Sequence, residues 1–156
     1  MNIFVLSRKP QLCAAYHCDK HVVKMIIEYT QMLSTCTYYC TGASPLKPTH
    51  KNHPCTLWVM KSIHNYRRLS ELASYLCVEY TKRYGKIHAL ERVIKDLTKA
   101  PAGLPRTKNI TPFVTVMPEQ YVHKNPLRAY RDYYLYDKVR FARWKYTKTP
   151  YRFSFS

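Results

Sequence analysis

The chain has 156 residues, 46% of them apolar, and sets 26 Lys and Arg against nine Asp and Glu for a formal charge of +17. That length predicts one domain, 1–156, with a core of its own, and the apolar content excludes a disordered chain. No run of about 18 apolar residues occurs, which excludes a helical membrane span; the charge predicts a polyanionic partner, nucleic acid before a membrane surface, because the cations are spread along the chain.

The first ten residues are too short an apolar stretch, too soon interrupted, for a signal peptide. An intracellular protein is expected, in a host cytoplasm or nucleus or in a virion if the source is viral. The six cysteines are accordingly read as reduced thiols, and no CxxC pair is present for a thiolate zinc ribbon. Met1 to Leu6 is apolar and reads as a short strand or an extended arm. Pro10 suits the start of a first helix running to about Tyr39. Within it Val22, Ile26, Tyr29, Leu33 and Cys36 step by four and three, the spacing of one helix face. Residues 41–48 hold a Gly and two Pro and read as a loop.

Pro54 fits the first turn of a second helix, with Asn52 or His53 near its cap, and Gly85 ends it after Tyr84. A third, shorter helix is expected from about His88 to Leu97. Residues 100–112 are turn-rich. Phe113 to Met117 is β-branched and short, extended at most. Asn125 caps and Pro126 opens a fourth helix reaching towards Phe141. The chain then alternates aromatic and basic residues. The fold class is mainly α: a compact single-domain helical bundle with long loops and an aromatic, basic C-terminal tail.

Three constellations can carry chemistry. On the first helix His17, His21, Lys24, Glu28 and Gln31 fall within roughly an 80° arc, bordered by Met25, Met32 and Ile27. This is either a solvated stripe or a polar seam in an enclosed site, and Lys24 with Glu28 is either a salt bridge or an acid–base pair of shifted proton affinity. His17 and His21, four apart, have a spacing that holds zinc, with His50, His53 and Cys55 to complete a set. The competing reading makes His50 and His53 loop residues that cap a helix or touch phosphate, with no metal and no cofactor. From Tyr130 to Phe155 aromatic faces suit stacking on bases and cations suit phosphates, unless the rings seal the core. The expected DNA-facing set is His17, Lys20, His50, Lys51, His53, Lys82, Arg83, Arg131, Arg140, Arg143, Trp144, Lys145 and Tyr146. The chain lacks a phosphate-cradling glycine loop, a GxSxG elbow and an acidic cluster for two magnesium ions.

Asp19-Lys20-His21-Val22-Val23-Lys24 with Glu28 and Gln31, His53-Pro54 with Trp58, Tyr66, and Glu79-Tyr80-Thr81-Lys82-Arg83-Tyr84-Gly85 resemble the small endonuclease V-type pyrimidine-dimer DNA glycosylases of bacteriophages and their viral and bacterial relatives. The resemblance spans most of the first 85 residues and, loosely, the tail. It implies a helical DNA-repair enzyme without a metal. In that family a chain-terminal amine attacks the sugar C1′ of a damaged pyrimidine, forms an imine and cleaves the strand by β-elimination. The helix-one glutamate of the family falls on Glu28, and an imidazole two turns earlier on His21. One departure concerns the amine. The family exposes a small second residue by losing Met, whereas Asn2 stands here, so the amines of Met1, Asn2, Lys24 and Lys20 are all candidates. The expected activity is a DNA glycosylase with AP lyase chemistry, acting as a monomer on duplex DNA with a damaged or flipped base. The alternatives are a non-enzymatic DNA-binding or packaging protein and a zinc-dependent nucleic-acid enzyme.

Overall fold

The computed structural model describes residues 1–153; Phe155, counted above with the aromatic tail, lies outside them. Six α-helices carry the chain, and no strand occurs among the described residues. They are α1 Pro10–Tyr16, α2 Asp19–Thr41, α3 Pro54–Met60, α4 Ile63–Tyr84, α5 Glu91–Leu97 and α6 Pro126–Tyr136. The central pair is α2 and α4. The helices α1 and α5 pack on α4, and α3 lies against both α2 and α4. The expected stripe Val22, Ile26, Tyr29, Leu33 and Cys36 is fully buried, so the period of the sequence sets the face that makes the core. Gly42 and Gly85 close α2 and α4 in the left-handed conformation, at φ 81° and 67°.

Two predicted helices are each broken in two. The first stops at Tyr16 and restarts at Asp19. The amide of Cys18 donates to the Tyr134 hydroxyl and that of Asp19 to the Arg143 carbonyl, so distant groups replace the intrahelical bonds. The second breaks after Met60. Ser62 caps α4 through the amide of Asn65, and the Asn65 side chain donates to the Trp58 carbonyl across the break. The fourth helix ends at Tyr136 and passes into a 3₁₀ turn, Lys138–Arg140.

Residues 1–6 form the extended arm and pair with no strand. Ile3, Phe4, Val5 and Leu6 are nonetheless buried. A buried backbone needs partners for its polar groups, and side chains supply them. The amide of Ile3 donates to Asn2 Oδ1, that of Phe4 to the Tyr29 hydroxyl and that of Leu6 to Cys13 Sγ. The Leu6 carbonyl accepts from Arg131 and the Ser7 carbonyl from Arg68. The arm is thus threaded between α2 and α6 with its first residues fixed.

The 41–53 loop lies along α2. Gln31 donates to the Lys47 carbonyl at 2.7 Å, while Ser34 and Thr35 bond the backbone of Leu46 and Thr49. Gln31 therefore leaves the polar stripe to hold this loop.

Candidate active site

The arm, α2 and the chain around α6 enclose a cleft of about 560 Å³. The arm contributes Met1, Asn2 and Phe4. From α2 come Lys20, His21, Lys24, Met25 and Glu28. Val116, Met117, Tyr133, Lys138 and Phe141 close the far side. Among the described residues Glu28 is the one carboxylate lining it. The Met1 ammonium stands 3.8 Å and the Asn2 amide nitrogen 3.1 Å from its Oε2, and Lys24 Nζ stands 3.4 Å from Oε1. A cleft with one acid and several cations attracts a phosphodiester.

Asn2 is held by its side chain. Its Oδ1 accepts from the amide of Ile3 at 2.8 Å and lies 2.8 Å from the Tyr130 hydroxyl; its Nδ2 donates to the Val116 carbonyl at 2.7 Å. These bonds tie the arm to both the 113–117 segment and α6. They position the nitrogen atoms at the start of the chain against Glu28.

The two helix-one imidazoles have separate fates. His17 is wholly buried in the break between α1 and α2. Its Nδ1 lies 2.7 Å from the Cys13 carbonyl and its Nε2 3.3 Å from the Tyr29 hydroxyl. The carbonyl can only accept, which assigns the proton to Nδ1. Burial lowers its pKa from 6.5 to about 4. His17 therefore leaves the DNA-facing set, because it has no surface with which to meet DNA. His21 lines the cleft, stacked on Phe4 at 4.5 Å and edge-on to Phe141 at 5.3 Å. Burial, helped by His17 and the lysines 138, 24 and 20, lowers its pKa to about 3, so it is neutral at working pH.

Arg83 also leaves the DNA-facing set. Its side chain has no exposure and bonds Asp19, Glu79 and the carbonyls of His17 and Ala15. A helix-ending arginine reads as solvated from sequence; here it fills the space under the α1–α2 break. Asp19 in turn accepts from the Lys145 amide at 2.6 Å, which fastens the tail to α2. Arg131 is spent on the arm. Trp144 stacks on Phe153 at 5.6 Å, and its buried indole N–H has no acceptor among the described residues.

The remaining expected contacts reach the surface. Lys20 lies at the cleft mouth, 4.9 Å from the Phe141 ring centre. Lys82, Arg140, Arg143, Lys145 and Tyr146 are exposed. His50 and Lys51 are exposed on the loop, where His50 adopts φ 50° and Lys51 lies over Tyr39. His53 caps α3, accepting from the amide of Cys55. The zinc set is not assembled. No group of three or more His, Cys, Asp or Glu converges among the described residues, and both nitrogens of His17 are taken. The sequence reading missed the far wall, Tyr133, Lys138 and Phe141, and missed Tyr134 behind it. Their aromatic and basic character was visible, but only the docking of α6 brings them to α2.

Residues 1–92 match the family model for pyrimidine dimer DNA glycosylases. The chain belongs to that family. No curated protein and no solved structure matches the chain. The match takes in the arm, α1 to α4 and the start of α5, and so contains Glu28, His21 and Lys24. It supports a role as a pyrimidine dimer DNA glycosylase, with DNA as the substrate. The far wall of the cleft lies beyond the matched residues. No helix among the described residues is long and apolar enough to cross a membrane.

Proposed function

We propose that this single-domain glycosylase also cleaves the strand as an AP lyase, through an imine between an amine of the cleft and C1′ of the damaged nucleotide. The observation that supports this reading is the Met1 ammonium and the Asn2 nitrogen lying against Glu28 at 3.8 and 3.1 Å in a basic cleft. A deprotonated amine attacks C1′. The bond from C1′ to the base breaks, and its electron pair leaves with the base. Loss of a proton from nitrogen and opening of the C1′–O4′ bond, with a proton taken up at O4′, give the imine. Glu28 then removes a C2′ proton, a C=C bond forms, and the C3′–O bond breaks with its pair leaving on the phosphate. A carboxylate within reach of both the amine and the sugar serves each proton transfer. Lys20 and Lys24 meet the flanking phosphates, and the exposed Lys82, Arg140, Arg143 and Lys145 extend the contact.

The terminal amine is the preferred nucleophile, because the arm fixes it whereas the Lys24 side chain is 60% exposed. Borohydride trapping on a duplex with an abasic site tests the chemistry. A covalent adduct is expected, and peptide mapping separates Met1, Asn2 after loss of Met1, Lys20 and Lys24. Tight binding with no adduct refutes the imine and favours a DNA-binding role without lyase chemistry.

A further inference from the structure

Tyr134 belongs to α6, outside the matched residues, and is fully buried behind the cleft. Its hydroxyl accepts from the Cys18 amide at 2.9 Å and lies 2.7 Å from His21 Nδ1. A hydroxyl has one proton to give. The Cys18 amide is a donor and cannot take it. The Cys18 thiol is close enough to be influenced by Tyr134, but sulfur is the weaker acceptor. The proton therefore goes to His21 Nδ1, which must be bare, and the ring's own proton sits on Nε2. That nitrogen has no acceptor among the described residues, and it is not among the buried atoms left without one. It opens into the cleft that His21 lines.

We infer that Tyr134 is a positioning residue that locks His21 as the Nε2–H tautomer and so presents a neutral hydrogen-bond donor to the substrate. This rests on reading the cleft as the catalytic site. As the bond from C1′ to a pyrimidine breaks, negative charge grows on the ring carbonyls of the departing base. A fixed N–H aimed at that charge stabilises the transition state more than the ground state. Burial and the neighbouring cations disfavour an imidazolium. Lys20 and Lys24 face His21 from its own helix and Lys138 from beyond α6, the Met1 ammonium and Glu28 line the same cleft, and His17, Cys18 and Tyr134 are the uncharged neighbours. His21 is thus a donor and neither a cation nor a base.

Long-range proton–nitrogen NMR of the ¹⁵N-labelled full chain tests the tautomer, with His21 assigned by comparison with His21→Gln. The expected result is a bare Nδ1 and a protonated Nε2, unchanged from pH 5 to 8. A protonated Nδ1, or exchange between tautomers, overturns the assignment and does not depend on the Tyr134→Phe protein folding. Tyr134→Phe removes the donor. Its His21 should show both tautomers and titrate closer to the ordinary imidazole range. Turnover on dimer-containing duplex should fall about tenfold or more, KM should stay within about twofold, and a new acidic limb should enter the pH profile. A folded Tyr134→Phe protein with unaltered His21 signals, or with unaltered turnover and pH profile, overturns the positioning role. Inactivity of the wild-type chain on dimer DNA refutes the proposed function instead, and the NMR result still decides the tautomer.

Discussion

Replacing Arg83 with Met separates a structural role from a DNA-binding one. The guanidinium has no exposure and lies 3.1 Å from Asp19 and 3.0 Å from Glu79, with the His17 and Ala15 carbonyls at 2.7 and 3.0 Å. Met fills much of the volume but leaves two carboxylates, each 11% exposed, facing across the vacated space. Breaking a buried ion pair from one side costs about 3–5 kcal/mol. The lower end is expected, since Asp19 keeps the Lys145 amide and Glu79 keeps Lys82 at 3.8 Å. For a domain of this size that is a fall in Tm of roughly 10 °C. Thermal unfolding by circular dichroism reads the loss. Duplex binding over a series of salt concentrations reads the other role, because loss of a phosphate contact reduces the slope by about one. The slope should be unchanged below the melting range. An unshifted Tm with a shallower salt dependence refutes the buried-hub account.

Glu28→Gln keeps the shape of the side chain but cannot take the C2′ proton; strand cleavage in a gel assay should fall about 100-fold or more, and unchanged cleavage removes Glu28 from the chemistry. Asn2→Ala leaves the Ile3 amide and the Val116 carbonyl short of a partner, while the Tyr130 hydroxyl keeps the Val114 carbonyl. It should cost about 1–3 kcal/mol in denaturant unfolding and lower the yield of trapped adduct. Stability should also depend on pH below neutrality. His17 and His21 have folded pKa values of about 4 and about 3, below the unfolded 6.5, so the unfolded chain binds more protons between those values. Stability is then full above about pH 7 and lost as the pH falls from 6.5 towards 4, by roughly 3 kcal/mol for His17 alone. Denaturant midpoints at stepped pH check this, and His17→Gln should flatten the curve.

Much of the scaffold was legible because it is local. Pro10, Pro54, Asn125 and Gly85 mark helix ends where the structure has them, and the Val22-to-Cys36 step marks the core face. Glu28, His21 and Lys24 were legible as one stripe on one helix. The breaks were less so. The Ser62 cap three residues before Asn65 was a readable signal for the second. The first rests on Tyr134 and Arg143, more than a hundred residues away, and no local pattern encodes it. The same distance hid Tyr134, Lys138 and Phe141. Arg83 and His17 misled for the opposite reason: their type argues for solvent, and only the network around them explains their burial. The Asn2 departure gains a physical account, since its amide is the knot that holds the arm.

The bond between Asn2 and Tyr130 spans 128 positions and that between Cys18 and Tyr134 spans 116. A ribosome adding roughly 5–20 residues per second therefore holds the first residues without their partner for about 6–25 s. During that interval the amine and Glu28 exist, yet the surface that aligns them has not been made. On the proposed lyase chemistry, a chain that stops before α6 lacks the Tyr130 and Tyr134 contacts that hold Asn2 and His21 in the cleft.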